Sequence, residues 1–169
     1  MDRATHMEVM HTFEPIYDGN SKVLILGTMP SVRSRAENFY YMHPQNLFWR
    51  VLSNILAIQL PGTIADKKKM LLDNYMAIWD VLQSCEIEGS SDSTIRNPVA
   101  NDFSGIIGKT QIKAIFTNGT KATDLYKRYC KKSTGIHSIY LPSTSPANRK
   151  NYDFNKVCHE WKQILDNIR

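Results

Sequence analysis

At 169 residues the chain has room for one well-formed core and little for a second. Its 42% hydrophobic and 10% aromatic content excludes a disordered chain, and no apolar run approaches the roughly 18 to 20 residues of a membrane span. The net charge of +5 suits a polyanionic partner without establishing one. It gathers at Arg33 and Arg35, Lys67 to Lys69, Lys127 to Lys132, and Arg149 with Lys150. The first three clusters read equally well as solvated helix faces; the last directly follows a Ser/Pro/Asn loop.

Met1 to Phe13 has no apolar h-region, so no secretory signal is expected. Residues 1–10 are expected to be flexible, with Met7 a candidate natural start and the first six residues an artificial extension. Val23 to Leu26 is a continuous apolar run closed by Gly27, the pattern of a buried strand with a tight exit. Thr28 to Tyr41 reads as a polar loop. Pro44 suits a first helical turn, and Phe48, Val51, Leu52, Ile55 and Leu56 follow at helical spacing, so a helix is expected over Pro44 to Ile58.

After Pro61-Gly62, a lysine-rich helix is expected over Ala65 to Asn74 and a strand over Ala77 to Leu82. Glu86 to Asp102 is polar and reads as a long loop, a length that usually marks function or mobility. A short helix over Phe103 to Gly108 carries Asp102 as its cap. A third strand, Ile112 to Phe116, leads into a helix from Thr120 to about Lys131, and a fourth runs from His137 to Leu141. The last helix has the clearest stripe: Phe154, Val157, Cys158, Trp161, Ile164, Leu165 and Ile168. Strands alternating with helices predict a three-layer α/β/α sandwich around a mainly parallel four-stranded sheet, with the whole chain as one domain.

Cys85, Cys130 and Cys158 form no CxxC pair and supply no fourth ligand, so neither a metal nor another cofactor is expected. A reduced protein of a prokaryotic cytosol or nucleoid is the expectation. Two polar segments stand out, YYMHPQNLFW at Tyr40 to Trp49 and LPSTSPAN at Leu141 to Asn148. Each follows a strand, and open α/β sheets build their sites beyond the carboxyl ends of strands. Aromatics, a His and an Asn from one loop can there face hydroxyls from another. That composition suits an unstacked base on one side and a phosphate backbone on the other.

With these residues laid out, the chain resembles the uracil-DNA glycosylase superfamily, and within it the hypoxanthine-DNA (deoxyinosine) glycosylases. GTMPS at Gly27 to Ser31, YYMHPQNLFW, the WDVLQSC and EGSSDSTIRN stretches, and LPSTSPAN follow that family's order and spacing. Mismatch-specific uracil glycosylases carry a water-holding Asn two residues after the first strand's Gly; Met29 stands there and holds no water by charge or a strong hydrogen bond. In the hypoxanthine branch the Asn of the HPxN segment is associated with catalysis. That residue is Asn46.

The resemblance implies base flipping and hydrolysis of the N-glycosidic bond to leave an abasic site. It makes Asn46 the candidate for orienting water or hydrogen-bonding the base edge, and His43 a positioning residue or an acid toward the leaving purine. Tyr41 is the candidate for stacking on the base, with Met29 beside it; Ser91, Asp92, Ser93 and Asn97 are candidates for reading the base edge. Ser143, Thr144, Ser145 and Pro146 suit phosphate contacts, with Asn148 and Arg149 at the tip filling the gap left by the flipped nucleotide and Lys150 a further DNA-binding residue. Where the branch often reads SPANA, this chain has Arg149.

Tyr40, Trp49 and Trp161 read as core, and Asn118 as a turn residue before Gly119. The principal motifs contain no lysine, so a monofunctional glycosylase is expected, acting as a monomer on damaged double- or single-stranded DNA and needing no membrane. A uracil or mismatch-specific glycosylase and a catalytically weak lesion-binding module remain open. A Rossmann-type nucleotide enzyme is disfavoured, because GTMP lacks GxGxxG and Pro30 obstructs a phosphate cradle.

Overall fold

The computed structural model describes residues 6–148 and 153–169. In chain order its elements are β1 (Met7–Met10), β2 (Val23–Gly27), α1 (Val32–Glu37), α2 (Phe48–Leu56), α3 (Ile64–Asp73), β3 (Met76–Asp80), β4 (Leu82–Glu88) and β5 (Ser91–Ala100). There follow α4 (Ser104–Lys109), β6 (Ala114–Asn118), α5 (Thr120–Tyr129), α6 (Lys131–Thr134), β7 (Ser138–Leu141) and α7 (Phe154–Trp161). Single 3₁₀ segments cover Pro146–Asn148 and Lys162–Asn167.

The central sheet has the order β3-β2-β6-β7 and is parallel throughout. Side chains alternate across a strand, which divides β2 between two cores. Val23 and Ile25 pack with Leu52 of α2, Leu71 of α3 and Trp161 of α7. Leu24 and Leu26 pack with Ile106 of α4, Leu125 and Tyr126 of α5, and Cys85 and Ile87 of β4. Apolar residues on both faces are why β2 reads as an unbroken hydrophobic run. The predicted α/β/α architecture is therefore present, and all four strands end at one edge, where Gly27 is in register with Asp80 and Asn118 with Leu141.

The helices begin where short polar side chains can take orphan backbone donors. Thr63 Oγ1 accepts from Asp66 N (3.0 Å), opening α3, and Asp153 Oδ1 accepts from Lys156 N (2.8 Å), opening α7. Trp161 ties α7 to the loop after β7, its Nε1–H donating to the Pro142 carbonyl at 2.9 Å.

Four expectations need correction. Thr28 to Tyr41 is not wholly loop: Ser31 caps α1 by accepting from Ser34 N, and Asn38 closes that helix in the left-handed region. The second helix starts at Phe48 rather than Pro44, because Asn46 Oδ1 accepts from Phe48 N and turns the chain just before it. Glu86 to Asp102 is a hairpin, β4 against β5, rather than a loop. Three register shifts interrupt its pairing, and such irregularities erase the period-2 pattern by which a strand is recognised. Met7–Met10 is also ordered, as β1 against β4, which completes a second, antiparallel sheet of order β1-β4-β5.

Candidate active site

The loops at the carboxyl edge of the parallel sheet enclose a cleft of about 580 Å³. A smaller depression on α7, near His159 and Glu160, receives nothing from the strand ends. The cleft's floor follows from register. Gly27 lies beside Asp80, and a Cβ on Gly27 would stand 2.5 Å from Asp80 Oδ1 and 2.7 Å from Tyr41 Oη. Glycine is thus required for the carboxylate and the phenol to converge.

Asp80 is 3% exposed, and its Oδ2 accepts the Nε2–H of His11 at 2.8 Å. His11 arrives from the segment after β1 and is wedged against Phe13, with ring centroids 4.5 Å apart. Tyr41 adopts φ +55°, a left-handed conformation unusual for an aromatic residue. Phe48 covers one face of its ring, stacked at 3.9 Å. Burial, reinforced by the Asp80 charge, pushes the phenol's pKa far up. Asn118 lies close enough to draw it partly back but not in hydrogen-bond geometry, so the buried Oη has no partner among the described residues. An unsatisfied buried hydroxyl costs about 1–3 kcal/mol, a cost that a bound polar group can relieve.

His43 and Asn46 sit in the irregular turn before α2, and both line the cleft. His43 Nδ1 accepts from Gln45 N (3.1 Å), which fixes that ring nitrogen as an acceptor. Asn46 spends one Oδ1 lone pair on Phe48 N (2.9 Å). The second lone pair and the amide N–H groups remain for a ligand.

The loop after β7 is braced from within. Asn118 Nδ2 donates to Thr144 Oγ1, Asn118 Oδ1 accepts from Thr144 N, both at 3.0 Å, and Leu47 N donates to the Thr144 carbonyl. Thr144 is fully buried, so its hydroxyl serves this brace rather than an open surface. Ser143 Oγ accepts from Ser145 N, and Asn148 Nδ2 donates to the Ser143 carbonyl. Gly119 adopts φ +98°, and a Cβ there would lie 3.1 Å from Ser143 Cβ. Ser143, Ser145, Pro146 and Asn148 also line the cleft; Arg149 and Lys150 lie outside the described residues.

The remaining wall is the tip of the β4–β5 hairpin. It is held to α1 by Val32 N donating to Ser90 Oγ (2.9 Å) and by Arg35, which donates to the Gly89 and Pro30 carbonyls. Ser91, Asp92 and Ser93 line the cleft. Asp92 keeps accessible surface inside the cavity, yet the walls strip away enough water to raise its carboxyl to about 6. Thr28 and Lys121 pull that value down, and Asp80 adds to the rise.

Of the residues predicted from sequence, Asn97 is the one this geometry removes from the cleft: its Nδ2 donates to Glu86 Oε2 on the exposed hairpin face. Met29 lines the cleft, and Tyr40 is 2% exposed with its hydroxyl on the Glu14 carbonyl. Sequence reasoning missed Asp80 and His11, 69 positions apart. It also missed Lys121, which α5 brings to the cleft, and it treated Asn118 as a turn residue although that side chain joins two loops. The available signals for Asp80 were an acid at the end of an apolar run and its place in the WDVLQSC stretch.

A family model described as the uracil DNA glycosylase superfamily matches residues 14–169. A protein of Methanosarcina acetivorans named hypoxanthine DNA glycosylase is 36% identical over 155 residues, covering 90% of this chain and 96% of that protein. One of the same name from Methanosarcina barkeri is 32% identical over 146 residues, covering 85% and 91%. The solution NMR structure of a candidate uracil DNA glycosylase from Methanosarcina acetivorans superposes with a TM-score of 0.78 at 31% identity, covering 94% of this chain and 99% of that one.

Proposed function

The chain belongs to the uracil DNA glycosylase superfamily, and from that premise we propose that it excises hypoxanthine from deoxyinosine in DNA. It is a DNA glycosylase, a hydrolase of N-glycosyl bonds. The target nucleotide leaves the stack at a cost of about a few kcal/mol, least where pairing is already poor. In this reading the open face of Tyr41 stacks on the base beside Met29, and Asn46 orients the water that attacks C1′. Ser143, Ser145, Pro146 and Asn148, with Arg149 and Lys150, hold the backbone, and Ser91 and Ser93 border the base edge.

One observation carries the substrate class: a carboxylate oxygen, Asp80 Oδ1, and the Tyr41 Oη both close on Gly27 in the lining of the cleft. A carboxylate accepts hydrogen bonds and donates none. Deamination of adenine converts ring N1 from an acceptor into an N–H donor, so such a floor accepts hypoxanthine and rejects adenine. Leaving a buried acceptor facing another acceptor discriminates strongly. The same logic admits uracil, whose N3–H replaces the lone pair of cytosine, and this sustains uracil as the second reading. We further place the protein in a reducing cytosol, acting on DNA as a single glycosylase domain without a lyase step.

A single-turnover assay on duplexes carrying one deoxyinosine or one deoxyuridine, quenched with and without alkali, tests this. Inosine cutting that Asn46→Ala lowers by about 100-fold or more while binding persists is the expected result. Cutting of deoxyuridine alone favours the second reading. Strand scission without alkali would instead implicate the Lys121 amine and end the monofunctional assignment.

A further inference from the structure

The reaction needs more than a held water and a read edge. Without a proton, hypoxanthine departs from C1′ as an anion, and a general acid typically contributes about 10²–10⁴-fold to such a step. Among the described residues, the carboxyl and imidazole groups lining the cleft are those of Asp80, His43 and Asp92. Asp80 is committed to His11. His43 belongs to the Asn46 turn, where the reading above places the attacking water, and its Nδ1 is already an acceptor. Asp92 differs from both. It projects from the hairpin tip into the cavity, with accessible surface.

We propose that Asp92 is the general acid, delivering its carboxyl proton to N7 of the departing purine. N7 is the most basic ring nitrogen of an N9-substituted hypoxanthine. As the C1′–N9 bond breaks, its electron pair moves into the purine, and the base leaves neutral. Water adds to the oxocarbenium carbon, and its surplus proton returns to the Asp92 carboxylate directly or through solvent. The acid is thereby restored, and no other reactant is consumed.

The surroundings suit that role. Loss of water to the cleft walls raises the Asp92 carboxyl to about 6, with Thr28 lowering it, Asp80 raising it and Lys121 lowering it. Tyr41 and Cys85 also face it and remain neutral there, since burial raises both. Near neutral pH an ordinary aspartate retains almost no proton to give; a carboxyl near 6 retains a usable fraction.

This inference rests on the hypoxanthine reading, and its test separates the two. Single-turnover base release is measured on duplexes carrying deoxyinosine or 7-deaza-deoxyinosine, with wild type and Asp92→Asn, across the acid-to-neutral range. Wild type should lose rate as pH rises through about 6. Asp92→Asn should be slower by about 100-fold on deoxyinosine and lack that limb. Both proteins should process the 7-deaza substrate slowly and equally, because it offers no N7. Retained binding to an abasic-site duplex shows that the variant is folded, and Asp92→Glu should recover part of the rate. A wild-type rate in Asp92→Asn, or an equal loss on both substrates, overturns the assignment. Failure of the wild type to release hypoxanthine at all overturns the proposed function, and this step falls with it.

Discussion

The cleft has two unlike walls. Along the sheet edge, polar groups are buried and largely paired, with Asp80 taking His11 and Asn118 clasping Thr144 through two hydrogen bonds, while the Tyr41 hydroxyl stays open for a ligand. At the hairpin tip, Ser91, Asp92 and Ser93 are exposed, and the principal ties to the body run from Val32 and Arg35 of α1. The first wall is preorganised: its donors and acceptors are aimed before any ligand arrives, which suits reading a base edge or holding a backbone. The second keeps its side chains accessible, which suits a group that must exchange a proton. Stability and chemistry are thus divided between the walls of one cavity.

The division can be broken most forcefully at the floor. Gly27→Ala sets a Cβ against Asp80 Oδ1 and Tyr41 Oη. Overpacking of this kind costs about 1–3 kcal/mol, and misplacing the reacting geometry by a fraction of its contacts costs about 100-fold in rate. Denaturant unfolding and single-turnover kinetics should therefore both move; wild-type behaviour in both would mean that the floor is not rigid.

His11→Ala tests whether the sheet wall depends on a residue outside the family match, which begins at residue 14. It leaves Asp80 Oδ2 buried without its donor, at a cost of about 1–3 kcal/mol. The expected result is a lower midpoint in urea together with weaker rejection of adenine-containing duplex. A variant that unfolds like wild type would show that the pair contributes nothing to the floor.

The smallest effect belongs to the hairpin wall. The Asp92 carboxyl rises from an ordinary 3.8 to about 6 in the folded chain, so between those values the folded state holds a proton that the unfolded state has released. Stability contributed by this group is therefore present at low pH and lost as pH rises through about 6. Asp92→Asn should leave thermal stability unchanged in acid and raise it slightly at neutral pH, by well under about 1 kcal/mol given the residue's solvent exposure. A destabilised variant at neutral pH would place Asp92 in a stabilising bond and sharpen the contrast the other way.

Much of the fold was legible because its signals are local. The unbroken run of β2 follows from burial on both faces, and the α7 stripe from packing on one, so each could be read from a few consecutive residues. Asn46, Tyr41 and the Ser/Pro loop were legible as motifs for the same reason. The hairpin was not, because register shifts scramble its alternation, and Pro98 with Asn97 reads as loop although an edge strand accommodates both.

The amino-acid sequence by itself thus determined the parallel α/β core, the family and the two loops that bear the motifs, since periodicity and short motifs are written in neighbouring residues. Tertiary structure decided the partnerships: His11 with Asp80 across 69 positions, Asn118 with Thr144 across 26, and Asp92 carried by a hairpin to the mouth of the cleft. Such pairs are set by strand register and by close approach at glycine, as Gly27 beside Asp80 shows. No local pattern encodes which distant polar groups will share a buried space.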